Sequence, residues 1–455
     1  MKTTDNKLYI LTFVLYETVM ILTLLKGSKM DNEKESLQVF DNLLFPKIFQ
    51  AFRMAIQPSK LIIVLSALAI ICLAGWIMDL SRTVIATPQT QAQETELQIY
   101  MTNPAQLKSY IEEYKETGDR TGVFSTLWHF ASARFHKALK SLFAFNLPGV
   151  AKNIAECFKA LRWAMRHHFV YCIIFFAIGL AVTSIAGGSL CRIAALQLAK
   201  GEKPGLTEAL RFSTKKFSSL FLTPIAPVGI IIFIGLFLFL LGLIGNIPRA
   251  GELIMGIFMP LALLGGVLIT VVLIGTVAGF NLMFPIIAYE GSDCFDAISR
   301  SFSYVYAKPW RMGFYSTIAA VYGAICYTFV RFFAFLLLLT TYLSVRLGVW
   351  VENSKEVNKL TAIWSEPSFM NLSGSSNLAI ANWSQSIAAF LIYLLLLVVV
   401  GLVVSFVISF YFSANTIIYS LMRNRVDNTA LEDIFSPAED VESESDQSQP
   451  PSPEQ

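Results

Sequence analysis

Residues 386–422 read SIAAFLIYLLLLVVVGLVVSFVISFYFSANTIIYSLM, with no Asp, Glu, Lys or Arg anywhere in the run. A bilayer core about 30 Å thick is crossed by about 20 apolar residues in a helix, so this stretch is long enough to span it. Barrel strands alternate apolar and polar residues over about 10 positions, and this run does not alternate. Four further uncharged runs lie at 61–78, 169–191, 218–248 and 254–289, and another at 312–345 carries one charge, Arg331. Composition agrees with lipid as the solvent: of 455 residues, 55% are hydrophobic and 15% charged, far from the balance of a soluble domain. The expected fold is all-α, a polytopic transmembrane helix bundle of about six spans. Leu8 to Leu25 is one more apolar run, interrupted by Glu17 and followed by no small-residue cleavage site. It is either a seventh span or the product of a start placed upstream of Met30, and the sequence leaves both open.

Sidedness follows from Lys and Arg in the short loops. Arg192, Lys200, Lys203, Arg211, Lys215 and Lys216 crowd the loop after the second span, Arg300, Lys308 and Arg311 follow the fourth, and Arg423 and Arg425 end the last. With Lys47, Arg53 and Lys60 before the first span, these mark one side as cytoplasmic, with both ends of the six-span core there. With no retention or lipidation signal, the membrane expected is the inner membrane of the cell. The chain divides into an apolar segment 1–29, a surface helix and first span 30–80, an extracytoplasmic segment 81–168, core spans 169–345, an extracytoplasmic loop 346–385, a last span 386–425 and a tail 426–455. The tail ends EDVESESDQSQPPSPEQ and is disordered by composition.

The segment 81–168 opens polar and turns amphipathic. Val150, Ile154, Cys157, Phe158, Leu161 and Met165 recur at helical spacing, with Lys152, Lys159, Arg162 and Arg166 on other faces, as in a helix lying in the membrane interface. An earlier helix near 124–143 has the same character, and Pro148-Gly149 separates the two. So many basic residues run against the usual charge bias of an outer segment, although that bias weakens in segments longer than about 60 residues.

Two stretches on the basic side are alike. TEALRFSTKKFSSLF at 207–221 sets Glu208, Ala209, Leu210 and Ser213 in the order that Asp296, Ala297, Ile298 and Ser301 take in FDAISRSFSYVYAKPWRMGF at 295–314. A fainter copy is QAFRMAIQPSKLII at 50–63. The expected unit is a short surface helix feeding a span, used about three times as parallel repeats. These basic surface helices and the closing YSLMRNRVDNTALEDIF at 419–435 resemble uncharacterised bacterial polytopic membrane proteins, including the membrane domain attached to some glycerophosphodiester phosphodiesterases. No phosphodiesterase domain accompanies it here, so the resemblance implies a membrane domain and carries no activity over.

Few residues stand out as functional. Arg331 is a charge within an apolar run, open to snorkelling, to an interhelical pair or to a substrate or ion site. Asn281 and Asn415 are polar positions inside spans, and Pro224, Pro227, Pro260 and Pro285 interrupt them. Gly275 and Gly279 have the spacing that lets another helix approach. Cys72, Cys157, Cys172, Cys191, Cys294 and Cys326 form no CxxC pair, and the four histidines, His129, His136, His167 and His168, have no companions spaced to hold a metal. GEKPG at 201–205 is not a phosphate cradle, and HExxH and GxSxG are absent. No enzyme activity, cofactor, metal or nucleic acid is expected, the formal net charge being only +3. The expected function is a non-catalytic component that organises membrane proteins or lipids, the alternative a channel or transporter for an apolar or uncharged solute. The partners expected are membrane lipids and other membrane proteins.

Overall fold

A computed structural model of the chain describes residues 45–87, 94–349, 359–372 and 382–435. The apolar run at 8–25 and the acidic stretch from 436 lie outside the described residues. Residues 1–50 form a unit of their own, described only in the 3-10 turn Phe45–Phe49, where the two Phe rings meet edge-on at 6.4 Å, and in Gln50.

Beyond it the chain is helical: α1 Gln50–Ala55, α2 Pro58–Met78, α3 Glu96–Thr102, α4 Leu107–Glu113, α5 Val123–Phe143, α6 Leu147–His167, α7 Phe169–Ala199 and α8 Leu206–Lys215. Then come α9 Phe217–Leu222, α10 Ala226–Gly245, α11 Ala250–Glu290, α12 Cys294–Ala307, α13 Pro309–Gly348, α14 Lys359–Ile363 and α15 Trp383–Val426. Among the described residues six of these, α2, α7, α10, α11, α13 and α15, are long and apolar enough to cross a membrane. The protein is an integral membrane protein, and its fold is the helix bundle that the uncharged runs predict.

The spans run alternately up and down. Three that travel the same way, α7, α11 and α15, pack against one another, while α2 rests on α7 and α15, α10 on α11, and α13 on α15. Burial concentrates toward the ends where α7, α11 and α15 finish, here called the basic end. Small residues are buried in these stretches, Gly187, Gly188 and Ser189 on α7 and Ser405, Ser409 and Ser413 on α15, and a Cβ on Gly187 would lie 2.7 Å from the Phe412 ring of α15. Lipid tails offer no hydrophobic drive for helix association, so fit and buried hydrogen bonds hold the helices together. The apolar run 218–248 is broken in two by a turn at 223–225, and Pro227 sits in the first turn of α10, where its missing N–H costs nothing. At 40 and 44 residues, α13 and α15 measure about 60 Å or more and project beyond the bilayer.

Two short helices lie against the basic end. Ser213 of α8 and Ser301 of α12 are fully buried. The Ser213 hydroxyl meets that of Ser189 at 3.0 Å, and Ser301 donates to the Gly279 carbonyl at 2.6 Å. The α12 helix thus occupies the face that Gly275 and Gly279 leave open: a Cβ at Gly275 would lie 2.9 Å from the Phe302 ring, and one at Gly279 would lie 2.3 Å from Ser301 Oγ. Glu208 and Asp296 stand in the first turns of these helices, where a negative charge suits the helix dipole.

At the other end, residues 79–87 and 94–168 build a small lobe. Asp79, where α2 gives out, is buried and accepts the backbone N–H groups of Phe124 at 2.9 Å and Ser125 at 2.7 Å, the Ser125 hydroxyl at 2.5 Å and the Tyr171 hydroxyl at 2.8 Å. One carboxylate thereby caps the start of α5 and ties it to α2 and α7. Strands β1 Val84–Ala86 and β2 Asp119–Thr121 pair antiparallel beside it. The helices α5 and α6 form a hairpin joined by Arg134 and Glu156 at 2.5 Å, and the fully buried Trp163 anchors α6 among Val84, Leu97, Leu107 and Val123.

Replacing Gly279 by Ala should lower thermal stability in detergent by about 1–3 kcal/mol through overpacking. Because the clash is with one hydroxyl, adding Ser301→Ala should recover part of that loss, and strict additivity of the two changes would contradict the contact.

Candidate functional site

Of the positions that stand out in the sequence, Arg331 is engaged most fully. It is 5% exposed. Its guanidinium donates to the Phe369 and Met370 carbonyls, each at 3.0 Å, and to the Tyr327 hydroxyl at 2.9 Å, and it stacks over the Phe369 ring at 5.6 Å. It does not snorkel into water, and among the described residues it meets no opposite charge. It fastens the loop 364–372 onto α13, and Phe369 in turn touches Phe143 at the tip of α5, with ring centroids 5.5 Å apart. Asn281 accepts from the Tyr411 hydroxyl at 2.5 Å, joining α11 to α15. Asn415 is buried on α15. Among the described residues no hydrogen bond or ion pair joins Arg331, Asn281 and Asn415 to one another, nor the surface-helix positions Glu208, Ser213, Asp296 and Ser301 to one another.

The sequence reading missed three groups. The first is Lys60, which is completely buried and donates to Ser413 Oγ at 2.9 Å, while Ser409 donates to the Ala55 carbonyl at 2.9 Å. A lysine opening a span looks interfacial, and only the Ser405, Ser409, Ser413 stripe on α15 hints that a polar face awaits it. The second is Glu290 at the end of α11. Its carboxylate receives the Tyr419 hydroxyl, Arg300 at 2.8 Å and Arg423 at 3.3 Å. Around it the segment 427–435 folds back: Arg192 donates to the Ala288 and Phe435 carbonyls at 3.0 and 2.9 Å, the Tyr289 hydroxyl to the Leu431 carbonyl at 2.6 Å, and the Phe435 N–H to the Tyr289 carbonyl at 2.9 Å. Gly291, at φ +64°, ends α11 left-handed, and the Phe435 ring lies 2.6 Å from where a Cβ would stand. Burial, and then the hydrogen bond it gives to Asp427, push the Tyr304 phenol above its ordinary range, so it stays a donor.

The third group is a cleft of about 370 Å³ between α3, α4 and α6. Lys108, Lys159, Arg162, Arg166 and His167 line it, with Tyr100 among them and no carboxylate. Lys159, Arg162 and Arg166, at spacings of three and four, share a face of α6, the adjoining face being held by Trp163 and Ala160 in the lobe's core. Among the described residues none of these cations is in an ion pair; Arg162 reaches only the Tyr100 hydroxyl, at 3.4 Å. Partial burial lowers the His167 pKa, the Glu96 charge opposing it, so the imidazole is neutral at neutral pH. Such an arrangement can attract and hold an anion.

A second cleft, of about 530 Å³, lies between α10 and α11 and is lined by apolar side chains such as Phe237, Leu241, Phe258 and Leu268. Among the described residues no three His, Cys, Asp or Glu side chains converge as a metal would require. No protein family, curated protein or solved structure shows a significant match to this chain.

Arg331→Lys should lower thermal stability by about 1–3 kcal/mol, since a point ammonium cannot fork onto two carbonyls. Limited proteolysis should then cut within 364–372 in the variant before the wild type; unchanged melting and cleavage would remove Arg331 as the fastening.

Proposed function

We propose that this protein is a non-catalytic membrane component that organises lipids or other membrane proteins. The observation that carries this is where the polar groups go. Within the spans, Lys60, Glu290, Asn281 and Arg331 bond to the chain itself, and outside them the described chain presents an open surface. That surface is an apolar stripe on the α5–α6 hairpin, with Phe145, Leu147, Ile154 and Phe158 exposed, bordered by the cations of α6. An exposed apolar stripe of this length beside a basic one suits the plane of the lipid interface. The resemblance to a phosphodiesterase-linked membrane domain is in keeping with a role without chemistry of its own. A channel or transporter for an apolar solute is the second reading, favoured by the apolar cleft between α10 and α11.

We also infer three parallel repeats, each a long span, a short surface helix and the next span: α7–α8–α10, α11–α12–α13 and, across the ends of the core, α15–α1–α2. The Ser213 and Ser301 contacts and the bond from Ser409 to the Ala55 carbonyl support it. The basic end would face the cytoplasm by its Lys and Arg.

Cysteines introduced at the exposed positions Lys215 and Phe295, in a background without the native six, should react with an impermeant reagent from the cytoplasmic side alone. Labelling of the two from opposite sides would end the repeat and the orientation together. For the role itself, mild extraction followed by mass spectrometry should recover the protein with a stoichiometric partner protein or a defined lipid, and proteoliposomes should pass no apolar tracer faster than empty vesicles. A protein that comes out alone and speeds tracer exit about tenfold, equivalent to some 1.4 kcal/mol off the barrier, would shift the assignment to transport.

A further inference from the structure

We propose that the cleft between α3, α4 and α6 is a seat for the phosphodiester headgroup of an anionic membrane lipid. This deepens the organising role and rests on it. The cleft holds Lys108, Lys159, Arg162 and Arg166 with no carboxylate in its lining. Like charges gathered without counter-charge repel one another, and an anion seated among them relieves that repulsion. Both guanidinium groups offer planar pairs of donors that match two phosphate oxygens, and the Tyr100 hydroxyl, already 3.4 Å from Arg162, adds a neutral donor at the floor.

Geometry on α6 selects a lipid over a soluble anion. Lys159, Arg162 and Arg166 form one row along the helix, and Phe158, Leu161 and Met165 form the next row, one residue earlier at each step. These apolar neighbours are exposed, Phe158 to 68%. A headgroup in the cleft therefore has an apolar track beside it on which acyl chains can lie, and Met101 and Leu107 give the cleft an apolar wall of its own. A free phosphate would use the cations and leave that track in water. The same track continues through Ile154 to Leu147 and Phe145 at the hairpin tip, which carries the cleft at the level of the lipid headgroups.

The test uses the full chain in nanodiscs of phosphatidylcholine with a minor share of phosphatidylglycerol, released into the gas phase for native mass spectrometry. Wild-type protein should retain one phosphatidylglycerol in preference to phosphatidylcholine. In Arg162→Gln/Arg166→Gln retention should fall at least about tenfold, as both forked guanidinium contacts to the phosphodiester are lost. Lys137→Gln/Lys140→Gln, the same charge change on exposed positions of α5, should leave it unchanged. Lys108→Gln/Lys159→Gln serves if the arginine pair fails to fold, with the same loss expected. Equal retention in wild type and cleft variants, or equal loss in the α5 control, overturns the site. Displacement of the lipid by millimolar inorganic phosphate would make the cleft a free-anion site and overturn the lipid assignment. A partner protein lost while the lipid stays would strike only the broader role, and a lipid lost while a partner stays would strike only the cleft.

Discussion

A carboxylate at the edge of hydrocarbon has no water to fall back on, and Glu290 shows how much structure that constraint can gather. An unpaired ion there costs several kcal/mol, so the fold brings it a phenol from α15, one guanidinium from α12 and another from the end of α15. The partners arrive on two elements, α12 and α15, and their meeting at one group of α11 fixes where the three helices stand relative to one another. Arg423 then carries the network outward to Asp433, and the returning segment 427–435 covers the ends of α7 and α11. The surface helices follow from the same rule: Ser301 reaches the Gly279 carbonyl because a glycine on α11 lets α12 come that close.

Arg331 and Lys60 meet the constraint in different ways suited to their chemistry. The planar guanidinium takes two adjacent carbonyls of a loop and a tyrosine at once, as a group with several fixed donors can. The amine of Lys60 sits at the start of α2 against a serine of α15, a compact donor held where helices pack closely. Neither faces a lumen, and together they tie the two ends of the bundle: Lys60 the basic end, Arg331 the loop end.

How much of this was legible in the sequence depends on whether a property is local. Uncharged runs such as 386–422 state their own length and solvent, so the spans could be read one at a time. The amphipathic helices α5 and α6 were equally open, since Ile154, Phe158, Leu161 and Met165 among basic neighbours are a pattern within one helix. Ser213 and Ser301 were picked out by their setting in similar stretches, although their contact with glycines on α7 and α11 was not visible. What the sequence hid was convergence. Glu290, Tyr419, Arg300 and Arg423 are each unremarkable at a helix end, and Lys60 passed for an interfacial lysine because its partner lies on the last span. The basic cleft was hidden for the same reason: Tyr100 comes from α3 and Lys108 from α4, and only folding sets them beside Arg162.

The pairing of Lys60 with Ser413 also sets an order of events at the ribosome. Its two members are separated by 353 positions, so at elongation rates of about 5–20 residues per second the lysine waits on the order of tens of seconds for its serine. Throughout that interval α2 is a helix with an uncompensated ammonium at its start, and that end must stay in water or against the insertion machinery. The first span can settle into its place only after the last has been made, which makes the assembly of this bundle a post-translational act.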